Sequence, residues 1–185
     1  SAWLAPRAPQ PIQYADFADW QRSEAQQQKI QRAIEYWKQT LGTDDGSQPV
    51  LALPTDFPRP AVQTFNGARH QFSLNAQLSA QLQALQAKNR GLSPFIVLLG
   101  SLQLLLREYS QQNDIRVGVP NANRQRLDVQ QLVGFFVNTL VMRARCPEAQ
   151  DKSAQETSVG EFFGALKQQH LAAQEHQDVP FEMLV

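Results

Sequence analysis

The stretch from Ser93 to Tyr109 constrains this chain more than any other. Ser93 can cap a helix with its side-chain oxygen, and Pro94 suits the first helical position, where an N–H would lack a partner anyway. Behind that start signal, Phe95, Ile96, Val97, Leu98, Leu99, Leu102, Leu104, Leu105 and Leu106 place apolar side chains on most sides of the helix. A helix of this kind is a central one, so the sequence predicts that it packs on a sheet. It does not predict a membrane span, because the unbroken apolar run from Phe95 to Leu99 falls far short of about 20 residues.

Three segments offer strands for that sheet. In Asp114-Ile-Arg-Val-Gly-Val-Pro120, Ile115, Val117 and Val119 share one face, and Pro120 is expected to end the strand. In the second, Ala68, His70, Phe72 and Leu74 alternate with Arg69, Gln71 and Ser73, which predicts a half-buried strand with His70 on its apolar side. The third is Leu132-Val-Gly-Phe-Phe-Val-Asn-Thr-Leu-Val-Met-Arg143, whose aromatic and β-branched residues suit a pleated, buried surface. Asn138 and Thr139 interrupt its apolar character. A buried amide or hydroxyl costs about 1–3 kcal/mol when unpaired, so each needs a partner. Local sequence leaves open whether that partner is nearby backbone or something that binds.

Helices flank these strands. Tyr14-Ala-Asp-Phe-Ala-Asp-Trp20 leads into a helix with Ile30, Ile34, Trp37 and Leu41 at helical spacing and Gly42 as its stop. The residues before it carry Pro6, Pro9 and Pro11 and read as an extended linker. Thr43 to Pro60 is rich in turn formers and marks the best internal boundary. Asn75 can cap a helix bearing Leu78, Leu82 and Leu85, with Gly91 closing it. After a polar interval from Pro147 to Thr157, Ser158 and Glu161 form a capping box ahead of Val159, Phe162, Phe163, Leu166 and His170. The order of elements predicts a mixed α/β sandwich, with helices covering a sheet.

The formal charge is +0 and no basic block occurs, which argues against nucleic acid. Cys146 stands alone, so no internal disulfide forms and a reducing cytoplasm fits. The three His are scattered, and no metal site is expected. No phosphate-binding glycine loop, nucleophile elbow or His-Glu-x-x-His helix is present. Three polar constellations sit in apolar or Pro-bearing sequence: Asn121 to Arg126, Asn138 with Thr139, and His176 with Asp178.

These constellations carry a family resemblance. Tyr14-Ala-Asp-Phe-Ala-Asp-Trp20, Val133-Gly-Phe-Phe-Val-Asn-Thr139 through Arg143, and His176-Gln-Asp-Val-Pro-Phe-Glu182 resemble three successive signature motifs of nonribosomal peptide synthetase condensation domains. Pro54-Thr-Asp-Phe-Pro-Arg-Pro60 and Pro120-Asn-Ala-Asn-Arg124 resemble further recurrent segments of that family.

The resemblance implies one partial lobe of a chloramphenicol-acetyltransferase-like α/β fold. Residues 1–43 would be linker and interlobe helix, and residues 44–185 most of the C-terminal lobe. In such domains, donor and acceptor carrier proteins deliver thioester-linked substrates on phosphopantetheine arms to a tunnel between two lobes. There the acceptor's amine attacks the donor's thioester carbonyl. Expected partners are those carrier proteins, the N-terminal lobe and a neighbouring adenylation domain, with no cofactor bound directly and no membrane.

By the same resemblance, Arg124 would pair with the Asp of a His-His-x-x-x-Asp-Gly motif. Gly134, Phe135, Phe136 and Val137 would floor the tunnel, and Asn138 and Thr139 would face it. His176 and Asp178 would shape its acceptor side. No His-His pair occurs in this chain, so it contains no catalytic residue on this reading and is expected to be inactive alone. An epimerising, cyclising or free-standing acyltransferase relative, or a binding module without chemistry, are the alternatives.

Overall fold

A computed structural model describes residues 12–43, 46–89, 91–146 and 158–184. Most of the expected linker, and the polar interval 147–157, lie outside these residues. Five helices and two strands follow in the order α1 (Tyr14–Gln21), α2 (Glu24–Leu41), α3 (Ala76–Lys88), α4 (Pro94–Ser110), β1 (Asp114–Asn121), β2 (Asn138–Arg145) and α5 (Val159–Glu175). They belong to two compact units. Residues 1–47, 118–141 and 172–185 form the first, and residues 48–117 and 142–171 the second.

The helix-start signals at Asn75, Ser93 and Ser158 are all used. Asn75 accepts from the Leu78 N–H at 2.8 Å and Ser93 from that of Ile96 at 3.3 Å. Ser158 and Glu161 bond reciprocally, each side chain accepting from the other's backbone N–H. Each such cap satisfies an otherwise orphaned amide, worth roughly 1 kcal/mol to its helix. At the far end of α3, Asn89 rather than Gly91 is the cap, and both its amides donate to the Leu85 carbonyl. Gly91 follows at φ +87, a conformation that costs a residue without Cβ little.

In the second unit, α4 places Ile96, Val97, Leu99, Gly100 and Gln103 in the interior. Phe163 and Leu166 of α5 lie so close to Gly100 that a methyl there would press into the Phe163 ring. Gln103, almost wholly buried, donates to the Met142 carbonyl of β2 at 3.0 Å. This face bears out a helix set against a strand. The expectation of burial on most sides does not hold: Phe95, Leu98, Leu102, Leu105 and Tyr109 remain between 37 and 63% exposed. They recur at three- and four-residue steps and form one uncovered apolar stripe.

Strands β1 and β2 pair as a two-stranded sheet. The Cys146 N–H donates to the Asn113 carbonyl, while Gly118 lies against Thr139, so one index falls as the other rises and the pairing is antiparallel. Pro120 lies inside β1 instead of ending it. A strand with one neighbour has a free side, where a missing N–H costs nothing. β2 starts only at Asn138, so the expected strand from Leu132 is half loop. The predicted strand at residues 68–74 is not formed either, and His70 is exposed rather than set in a core. Alternation is a local property, whereas a strand needs a neighbour for its backbone groups. Among the described residues this segment has none.

Candidate functional site

The first unit contains residues from each of the three signature motifs. Asn138, the first residue of β2, joins the second motif to the third. Its Nδ2 donates to the carbonyls of Gln177 at 2.8 Å and Val179 at 2.7 Å, and its Oδ1 accepts from the Phe181 N–H at 3.1 Å. The partly buried amide is thereby satisfied by backbone about forty residues away in sequence. Gln177 is itself buried, and its Oε1 accepts from Asn121 Nδ2 at 2.8 Å. Asn121 Oδ1 in turn accepts from the Asn123 N–H at 2.7 Å, fixing a turn in which Asn123 has φ +52. Asn tolerates that left-handed conformation better than most residues. Thr139, beside Asn138, is partly buried against Gly118, where an added methyl would meet its Cγ2 at 3.1 Å.

His176 and Asp178 are anchored to α2. The His176 ring lies flat on Tyr36, with centroids 4.0 Å apart and planes 9° from parallel. Its Nδ1 is 2.8 Å from the Ala172 carbonyl. A carbonyl only accepts, so Nδ1 carries the proton and, in the neutral ring, Nε2 is the acceptor. Trp37 Nε1 donates to the His176 carbonyl at 2.9 Å. Burial pushes the Tyr36 hydroxyl above the ordinary phenol range despite a lowering bond to Thr40, with the charge of Glu175 adding to the rise. Asp178 accepts from Lys29 Nζ at 2.5 Å.

Arg124 organises the loop before β2. Its Nη1 donates to the carbonyls of Val129 at 2.6 Å and Leu132 at 2.8 Å, with a longer contact to that of Gln130, and its Nη2 reaches the Gly134 carbonyl at 3.4 Å. The guanidinium lies 4.1 Å from the centroid of the Phe136 ring. Among the described residues no carboxylate pairs with it. Phe136 is buried with Phe17, Val129 and Leu132, whereas Phe135 and Val137 are exposed. Gly134 has the Tyr14 ring against it, and the Tyr14 hydroxyl donates to the Phe135 carbonyl at 2.9 Å. The first motif thus holds the loop of the second.

Two residues that sequence reasoning passed over matter here. Lys29 and Tyr36, on α2, steady the His176 segment, and neither stands out within a solvated helix. In the second unit Arg143, 6% exposed, makes a two-pronged bond to Asp114. A charge within a run of buried apolar residues was the available signal for it. Among the described residues no group of His, Cys, Asp and Glu could hold a metal, and no helix is long and apolar enough to cross a membrane. Chemically, the arrangement positions backbone; among the described residues it assembles no base beside a nucleophile.

The model of the condensation-domain family matches residues 5–185. The chain therefore belongs to that family, and its fold is the chloramphenicol-acetyltransferase-like α/β fold of such domains. The relatives are of the nonribosomal peptide synthetase kind. Phosphinothricin tripeptide synthetase PhsC of Streptomyces viridochromogenes is 41% identical over 177 residues, covering 96% of this chain and 15% of that protein. Gramicidin S synthase 2 of Brevibacillus brevis is 40% identical over 174 residues, covering 94% of this chain and 4% of the relative. The chain thus spans a small part of the proteins it resembles.

Among solved structures, the X-domain from teicoplanin biosynthesis superposes with a TM-score of 0.81 at 24% identity, over 99% of this chain and 40% of that one. The condensation domain from the Monacolin K polyketide synthase MokA gives 0.74 at 22%, over 99% and 41%.

Proposed function

We propose that this chain is the interlobe segment, residues 1–43, and most of the C-terminal lobe, residues 44–185, of an amide-forming condensation domain. In the whole domain, a donor acyl or peptidyl thioester is attacked by the amine of an acceptor, both delivered on phosphopantetheine by carrier proteins. The N-terminal lobe supplies the His that handles the amine's proton, and a neighbouring adenylation domain selects the acceptor. The assembly works in the cytoplasm.

What supports this reading is the convergence at Asn138. Its three hydrogen bonds tie the loop-and-strand motif to the His176–Glu182 motif, and Tyr14 ties in the first. A tunnel needs walls that keep their shape while a charged arm passes, and a saturated hydrogen-bond network provides that rigidity. Arg124 keeps its guanidinium fixed on carbonyls and an aromatic face, free of any described counter-charge, which suits a carboxylate from the other lobe. Gly134, Phe135, Phe136 and Val137 then supply the floor, and His176 Nε2 an acceptor near the acceptor side.

The test uses carrier proteins loaded with donor and acceptor. The longer synthetase containing this sequence forms the amide, and the purified 185-residue chain forms none. Product from the chain alone overturns the division of labour. Loss of both His of an upstream His-His-x-x-x-Asp-Gly motif in the longer protein, with peptide formation unchanged, overturns the chemistry.

A further inference from the structure

The second unit carries a segment that nothing covers. From Ala68 to Leu74 every residue is exposed, Phe72 at 79% and Leu74 at 42%. Among the described residues, no backbone N–H or C=O of 68–74 has a hydrogen-bond partner. The sequence nonetheless alternates as a strand does: in extended form Ala68, His70, Phe72 and Leu74 share one face, and Arg69, Gln71 and Ser73 the other. An extended run with free backbone groups and one apolar face is a template for strand addition.

This segment is complementary to itself. In an antiparallel pair related by a two-fold axis at Gln71, Phe72 of each copy faces His70 of the other and Leu74 faces Ala68, so the two apolar faces stay on one side. On the opposite side Arg69 meets Ser73, and the two Gln71 carboxamides, each with donors and an acceptor, meet one another. No like charges are opposed. A slip of one residue would set the apolar face of one copy beside the polar face of the other, so the register is specified.

The uncovered area is that of an interface. The apolar stripe of α4 belongs to the same unit, and its Leu98, Leu102, Leu105 and Tyr109 are 44–63% exposed. A whole aromatic side chain buries about 150–250 Å², so Phe65, Phe72 and Tyr109, at 63–85% exposure, leave roughly 450 Å² for a partner. With the leucines, the total is on the order of the 800 Å² that each partner gives to a standard interface.

We propose that two copies of this chain associate through residues 68–74, which pair as antiparallel strands about Gln71, with the α4 stripes covered in the same interface. Association needs only this segment and this stripe, whatever reaction the whole domain performs.

The test is sedimentation velocity of the 185-residue chain from about 1 to about 300 µM, with amide hydrogen exchange followed at both ends of that range. A monomer–dimer equilibrium with a dissociation constant on the order of 10 µM is expected, and a closed two-fold pair stops at the dimer. Exchange of the 68–74 amides is fast in dilute protein and slow in concentrated protein. Gln71→Pro removes an N–H at the centre of the pair and weakens association at least about tenfold. Should that variant fail to fold, the exposed Phe72→Ser decides, with association weakened severalfold. A monomer throughout the range, assembly beyond the dimer, a dimer in which 68–74 still exchanges fast, or wild-type association of the folded variants overturns the proposal. Slow exchange of 68–74 in dilute monomer also overturns it, because the chain would then cover the segment by itself.

Discussion

Arg143 holds Asp114 with two parallel hydrogen bonds, Nε to Oδ1 at 2.7 Å and Nη2 to Oδ2 at 2.6 Å, linking β2 to β1 inside the second unit. Arg116 Nη2 reaches the same carboxylate at 3.3 Å. Burial by itself raises the Asp114 carboxyl, but the bonds from Arg143 and Arg116 and their charges outweigh it and hold the group below its ordinary 3.8. A carboxyl depressed in the native state adds stability that is complete above its unfolded value and is lost as pH falls through the native one. Urea unfolding followed from about pH 5 to about pH 2 should therefore show an acid loss in wild type that is reduced in Asp114→Asn. At neutral pH that variant should be less stable by about 3 kcal/mol, since it leaves Arg143 buried without its carboxylate. An unchanged acid limb would remove Asp114 as its source.

Asn138→Ala should release the segment it clamps. Two carbonyls and one N–H lose their partner, and the expected loss is about 2–3 kcal/mol. Hydrogen exchange at the Phe181 amide, which donates to Asn138 Oδ1, should quicken more than exchange in α4. Asn138→Asp should be worse, because its carboxylate would face the Gln177 and Val179 carbonyls.

For Arg124, Ala and Lys replacements should behave alike. An ammonium group cannot span the carbonyls of Val129 and Leu132 and still lie flat on Phe136, so charge alone should not rescue the loop. In the longer synthetase both variants should lower amide formation. Full rescue of loop protection and activity by Lys would show that charge, not geometry, matters.

Gly100→Ala should destabilise the second unit by about 1–3 kcal/mol through overpacking against Phe163 and Leu166. Adding Phe163→Leu should recover part of that loss. Simple additivity of the two changes in a double-mutant cycle would mean that the contact is not the cause.

Nitrogen NMR should find the neutral His176 ring as the Nδ1–H tautomer, because Nδ1 faces the Ala172 carbonyl. Tyr36→Leu, which removes the stacked ring, should broaden or shift that signal. A dominant Nε2–H form would contradict the geometry.

The parts of this fold legible in sequence are those decided within a few residues. Asn75, Ser93 and the Ser158–Glu161 pair announce helix starts because a cap bonds three residues ahead. The same locality misled at residues 68–74, where alternation is present and a neighbouring strand among the described residues is not. It misled again at Leu132, since the Arg124 guanidinium draws the following carbonyls into a loop that no run of apolar letters reveals. The polar pair Asn138 and Thr139 could be singled out from composition. The Asn138 partners could not, because residues 177–181 are chosen by tertiary contact. The resemblance singled out these segments, and only the geometry showed which atoms join them.

The first unit draws on residues 1–47, 118–141 and 172–185, with the second unit's 48–117 inserted between the first two segments. During synthesis, α1 and α2 leave the ribosome long before the segment that Asn138 fastens. The Trp37 ring and Lys29 must wait for His176 and Asp178 to emerge. At a translation rate of about 5–20 residues per second that wait lasts on the order of ten seconds. Closing contacts of such long sequence separation is intrinsically slow. The Asn138 clamp can close only once residues 177–181 have been made, and until then α2 carries a buried-type face without the segment that covers it.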